Sequence, residues 1–314
     1  MTGEKSGIFT GGAGLAWRRQ RVLWWPFLVN LVLAHFAAHA TMARVESVLN
    51  QSLASERLLV HGFHFSAILE LMSGPGNRLS FGPEGFASAF VFFFFMLLAT
   101  GGILESYWRD TTLTTTDFFQ NGGKYFWRFL RLVIYLLIAL IPVGIIGAIG
   151  ASISDHVDAK SISPFPAVWI NLANLLVILL LMMIVRLWFD MAEVIAVAEG
   201  ERAAWRCLRD SARLLRRNFG SLFWLYFRIS FLAWLGEAIL LHIWVRYLPA
   251  ERVGISFVIA QLVVLFWMGL RWWQRASEVL WYQAWGMADT SQQTAPADPQ
   301  PSAPARDPEL VVLR

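Results

Sequence analysis

Residues 166–185 (PAVWINLANLLVILLLMMIV) contain no Asp, Glu, Lys or Arg. At 1.5 Å of rise per residue the stretch measures roughly 30 Å as a helix, the thickness of a bilayer's hydrocarbon core, and this predicts a membrane-spanning helix. Five further stretches read the same way. The expected fold is an all-α membrane protein with six transmembrane helices at about 22–43, 86–104, 132–153, 166–186, 218–245 and 253–271. Composition agrees, since 57% of residues are hydrophobic, only 15% are charged and the mean hydropathy is +0.52. The 16 Trp cluster near the ends of the apolar runs, as interfacial belts require. At the first run, preceding basic residues and Ala38-His39-Ala40 also imitate a signal peptide with its cleavage site. The apolar part is long enough to cross, so it is read as the first span.

The segment after the fourth span, residues 201–217 (ERAAWRCLRDSARLLRR), places Arg202, Arg206, Arg209, Arg213 and Arg216 at intervals of 4, 3, 4 and 3. At 100° per residue these fall in one stripe, with Ala203, Cys207, Leu208, Leu214 and Leu215 on the other side. This spacing predicts an amphipathic helix lying where headgroups meet water, and with Arg217 it forms an anionic-lipid surface. Arginines also set orientation, because cytoplasmic loops carry the Lys/Arg excess. Four Lys/Arg precede the first span, four lie between the second and third spans, and seven fall from Arg186 to Arg217; the intervening outer segments hold three, one and two. A bacterial inner-membrane protein with both termini in the cytoplasm satisfies this count. Its parts are a cytoplasmic segment (1–21), a membrane domain (22–286) and a Pro/Ala/Gln/Ser-rich tail (287–314) expected to be disordered. The net charge of +4, spread over the cytoplasmic segments, points to membrane lipids rather than nucleic acid.

Between the spans, residues 44–84 carry mixed charges without a basic excess and are expected outside, with a helical middle (53–72) stopped by Gly74-Pro75-Gly76-Asn77. In the second-to-third link, Thr114 with Asp117 predicts a capped short helix carrying Phe118 and Phe119 and closed by Gly122-Gly123. Pro142 predicts a kink in the third span, and residues 155–164 an outer turn.

Two patterns concern polar groups. The even spans leave the membrane alike: Arg186 and Glu193 parallel Arg271 and Glu278, and Glu105 follows the second span. This suggests three helical hairpins in one orientation, with Glu105, Arg186, Glu193, Arg228, Arg271 and Glu278 in a cytoplasmic charge network. Counting inward from the outer boundaries brings His35, Asn174, Glu237 and Gln261 to one mid-membrane depth. A lone carboxylate in hydrocarbon costs several kcal/mol, so the four are expected to form a buried polar layer facing the bundle interior. Such a layer serves either interhelical packing or a transport path. Packing is the better reading here.

Enzyme templates find no support. There is no phosphate loop, no nucleophile elbow, no argued carboxylate pair and no nucleotide fingerprint. The lone Cys207 excludes an intrachain disulfide and any Cys-based metal site. His35, His39, His61 and His64 lack a zinc signature, so no metal or other cofactor is expected. Residues 190–200 (DMAEVIAVAEG), 204–211 and 216–220 (RRNFG) resemble the membrane domain that precedes some bacterial glycerophosphodiester phosphodiesterases, and its stand-alone six-span relatives. The likeness covers the fourth and fifth spans, and the rest by layout. The catalytic barrel of those enzymes is missing, so the resemblance implies a helical membrane module and no activity. The expectation is a non-catalytic scaffold or accessory module associated with anionic lipids or partner membrane proteins. The runner-up is a small transporter or permease component built on the polar layer around Glu237.

Overall fold

Each apolar run lies within a helix that outlasts it. The computed structural model of the chain describes residues 3–49, 83–160, 163, 165–247 and 253–286. Its helices are α1 (Gly3–Arg18), α2 (Arg21–Leu49), α3 (Pro83–Arg109), α4 (Thr115–Lys160), α5 (Phe165–Ala198), α6 (Ala204–Tyr247) and α7 (Val253–Trp281), the last closed by a π-helical turn, Tyr282–Gly286. The described residues include no strand. Helices α3 to α7 supply five segments long and apolar enough to cross a membrane. The predicted first span falls on α2, where the apolar stretch counted, Arg21–Ala37, is shorter. The 53–72 helix, most of the 44–84 segment and the 287–314 tail lie outside the described residues.

With 46 residues, α4 is about 70 Å long, more than twice a bilayer's hydrocarbon core. The excess length of α3 to α7 converges at one end, the arginine-rich end, and that is where the core sits. The buried cluster joins Leu97 to Tyr107 of α3, Phe118 to Leu132 of α4, Leu187 to Val197 of α5, Ala204 to Leu222 of α6 and Trp272 to Trp281 of α7 with Tyr282 just beyond, together with Leu15 of α1. The most apolar parts are by contrast open: none of the apolar window of α5 is buried, and only 11% of that of α4. Side chains such as Ile138, Ile141, Ile145, Leu176 and Leu180 stand exposed. A protein folded in water hides its greasiest segments, so this inversion marks lipid as the solvent for those stretches.

Glycines decide how closely α3 and α4 approach. A Cβ at Gly122 would come to 2.4 Å from the Leu98 carbonyl oxygen, and one at Gly102 to 2.7 Å from the Phe118 carbonyl oxygen. The short helix expected to end at Gly122-Gly123 therefore runs on unbroken to Lys160, because Gly122 serves helix contact and not chain termination. Its start is as expected. The Asp117 amide donates to Thr114 Oγ1 at 3.2 Å, and that hydroxyl donates to Asp117 Oδ2 at 2.7 Å. The helix also passes through Pro142 and through residues 155–160 of the expected outer turn at 155–164; most of the rest of that turn lies outside the described residues.

Farther from the core, Asn174 of α5 donates to the Gly147 carbonyl of α4 at 3.1 Å and lies against Gly150, where a Cβ would have no room. Ser154 ties α4 to the Ala167 carbonyl at 3.1 Å. Helix α6 changes character at Asn218, whose non-helical backbone (φ −120°, ψ 25°) separates the arginine-bearing part from the apolar part. Helix α1 packs on α7 at the core end, where Trp273 Nε1 donates to the Phe9 carbonyl at 2.8 Å.

Candidate functional site

A charge network and an apolar groove meet where α5 and α7 leave their apolar stretches. On α5, Arg186 is followed at i+4 and i+7 by Asp190 and Glu193; on α7, Arg271 is followed at the same intervals by Arg275 and Glu278. Residues at those spacings share one helix face, and the two faces oppose each other. Arg271 grips Asp190 with both ends of its fork, Nη1 to Oδ2 and Nη2 to Oδ1, each at 2.7 Å. Arg275 reaches Asp190 Oδ1 at 3.0 Å, contacts Glu193 Oε2, and donates to the Asp190 carbonyl at 3.3 Å. Bidentate, charge-assisted pairs of this kind hold two helices in a fixed register. Glu278 is less well served. Among the described residues its ion pair is to Arg275 at 3.7 Å, and both its carboxyl oxygens are buried without a hydrogen bond.

The groove, about 430 Å³, opens toward the apolar stretches between α5, α6 and α7. Its walls include Leu180 and Met183 of α5, Ile229 and Trp234 of α6, and Trp267 and Leu270 of α7. Arg186, Arg271, Gln274 and Tyr226 line the end next to the network. Arg186 is exposed and makes no hydrogen bond or ion pair among the described residues, unlike Arg271 beside it.

The expected charge network is therefore assembled in part. Glu193, Arg271 and Glu278 meet in it, and Arg186 stands at its rim. Glu105 is buried elsewhere, accepting from the Tyr125 hydroxyl at 3.0 Å and pairing with Arg109 at 2.6 Å. Arg228 is also apart, exposed with its guanidinium 5.0 Å from the centre of the Trp224 ring. Asp190 and Arg275, which close the network, were missed in the sequence reading. Both stand one turn beyond the arginines it named, so extending the repeat by four residues finds them.

The four-residue polar layer is not assembled, which corrects the expectation. His35 and Glu237 are exposed, Asn174 is bonded to Gly147, and Gln261 is half-buried with Oε1 unpartnered. The depth count was blind to helix rotation: Asn174 faces α4, and Glu237 lies beyond the groove's outer end. His35 and His39 stack edge to face at 4.6 Å. Among the described residues no three His, Cys, Asp or Glu are grouped to hold a metal, and His61 and His64 lie outside them.

The helix expected over 201–217 begins at Ala204, so Arg202 precedes it while the other arginines of the stripe lie on it. Arg202, Arg206, Arg209, Arg213, Arg216 and Arg217 are all exposed, while Ala204, Cys207, Leu208, Ser211, Leu214 and Leu215 are buried against the core. Trp188 fixes the rotation of this segment, its Nε1 donating to the Leu208 carbonyl at 2.9 Å while its own carbonyl accepts from Ser211 at 2.7 Å. Ahead of it, the Glu201 carboxylate accepts the Ala203 amide at 3.0 Å, and this bond holds its carboxyl below the usual range. Comparison with protein-family models, with curated proteins and with solved structures gives no match, so a functional reading rests on these residues alone.

Proposed function

We propose that this is a non-catalytic protein of a bacterial inner membrane, a scaffold or accessory module that associates with anionic lipids through a rigidly presented arginine face. In this reading α2 completes a set of six spans, both termini are cytoplasmic, and the convergent helix ends with their charge network form a membrane-proximal head. The supporting observation is the arginine stripe: six arginines stand outward from a segment whose opposite face is locked into the core. Residues 204–217 end at the Asn218 bend, where the apolar part of α6 begins, and this supports a position for the arginines at headgroup level. The transporter reading loses its support with the scattering of His35, Asn174, Glu237 and Gln261.

A basic residue near an anionic surface contributes about 1 kcal/mol, screened by salt. The triple variant R206Q/R209Q/R213Q is therefore expected to lose roughly 3 kcal/mol of preference for anionic lipid. The measurement is lipid enrichment around the purified protein in mixed phosphatidylglycerol and phosphatidylcholine nanodiscs, at low and at high salt. Wild-type protein enriches phosphatidylglycerol at low salt and the variant does not. Equal enrichment by both proteins removes the reading.

A further inference from the structure

We propose that the groove between α5, α6 and α7 binds one anionic phospholipid from the cytoplasmic leaflet, its phosphate held by Arg186 and one acyl chain lying along the groove wall. The inference rests on the orientation proposed above, but it names a discrete site where that reading requires only a basic surface.

The shape of the groove sets the first condition on an occupant. From Leu176 to Arg186 the α5 wall rises about 15 Å, half of a hydrocarbon core of about 30 Å and so one leaflet deep. Its volume of about 430 Å³ lies within the range of small-molecule pockets. The long wall is apolar, and an acyl chain satisfies it where water would find few partners.

The polar end sets the second. Both oxygens of Asp190 are taken by Arg271 and Arg275, which leaves the Arg186 guanidinium near that carboxylate but with no hydrogen bond or salt bridge of its own among the described residues. A planar guanidinium fork matches a phosphate through two parallel hydrogen bonds. Gln274 lines the same end: it is 7% exposed, its Oε1 accepts from Arg271 at 3.1 Å, and its Nε2 is buried with no partner. A phosphate oxygen satisfies the Arg186 fork. The acidic neighbours do not compete for this place. Asp190 is already paired, Glu193 is held by Arg275, Glu278 does not line the groove, and Glu237 lies past its far end. A zwitterionic headgroup would bring its ammonium toward Arg186 and Arg271, and that repulsion selects for a net anionic lipid.

The test is native mass spectrometry of the full chain in detergent, titrated with dioleoyl phosphatidylglycerol or dioleoyl phosphatidylcholine at a salt concentration that strips surface-bound lipid. Wild-type protein is expected to retain one phosphatidylglycerol and not phosphatidylcholine. Arg186→Gln, which breaks no hydrogen bond or salt bridge seen among the described residues, weakens that retention at least tenfold. Ala233→Trp fills the groove, keeps every arginine, and abolishes retention. Arg228→Gln leaves it unchanged. Equal retention of the two lipids, retention by Arg186→Gln at the wild-type level, or a protein dimer in place of the lipid-bound monomer overturns the proposal. Failure of the arginine-face triple variant to alter low-salt enrichment, with this single lipid still retained, overturns the surface reading and leaves the groove site standing.

Discussion

Arg275→Ala is expected to destabilise the protein by about 3–5 kcal/mol, the cost of removing one partner from a buried ion pair and leaving the other charge uncompensated. Arg275 is 5% exposed and is the side chain shared by Asp190, Glu193 and Glu278. Without it, Asp190 keeps Arg271, but no ion pair seen in the fold remains for Glu193 or Glu278. The loss reads out as a lowered midpoint in detergent thermal unfolding and a lower yield of monodisperse protein. Arg275→Lys recovers part of the loss, since an ammonium supplies charge without the fork. Arg275→Met combined with Glu193→Gln is milder than Arg275→Ala, because removing both charges of a buried pair costs less than orphaning one of them. If Arg275→Ala unfolds at the wild-type midpoint, the network does not hold α5 to α7.

The second large effect contrasts two adjacent glycines. Gly122→Ala drives a methyl group against the Leu98 carbonyl oxygen, a backbone atom that moves only if α3 moves. Overpacking of this kind costs about 1–3 kcal/mol. Gly123 has nothing within 4 Å of a built Cβ, so Gly123→Ala carries only the helix-propensity gain, up to about 1 kcal/mol. Thermal unfolding of the two variants should therefore shift in opposite directions from wild type. Equal shifts would mean that the close approach of α3 and α4 is not fixed at Gly122.

These cases also show what the chain's own order makes legible. Five of the apolar helical segments were readable because hydrocarbon thickness imposes a length on uncharged runs, as at 166–185. The arginine face was readable because its 4-3-4-3 spacing is a helical period. Gly122 was misread because a glycine pair signals a stop locally, whereas its role here depends on Leu98, which is 24 residues earlier and becomes a neighbour only after folding. The polar layer failed for a related reason: depth along a helix follows from counting, but direction around it depends on packing partners. Asn174 turned to α4, where Gly147 and Gly150 left space for it. The charge network falls between these extremes. Its arginines and glutamates repeat visibly, yet Asp190 and Arg275 become interpretable only when α5 and α7 are placed face to face.

In the proposed orientation the convergent, charge-bearing helix ends lie in the cytoplasm while the apolar stretches face lipid. Single cysteines placed at Asp155, Leu176 and Arg216 in a Cys207→Ala background, treated with a membrane-impermeant thiol reagent on intact spheroplasts and on inverted vesicles, test it most directly. Labelling is expected at 155 from outside only, at 216 from the cytoplasmic side only, and at 176 from neither. Labelling of 155 and 216 from the same side, or ready labelling of 176, contradicts it.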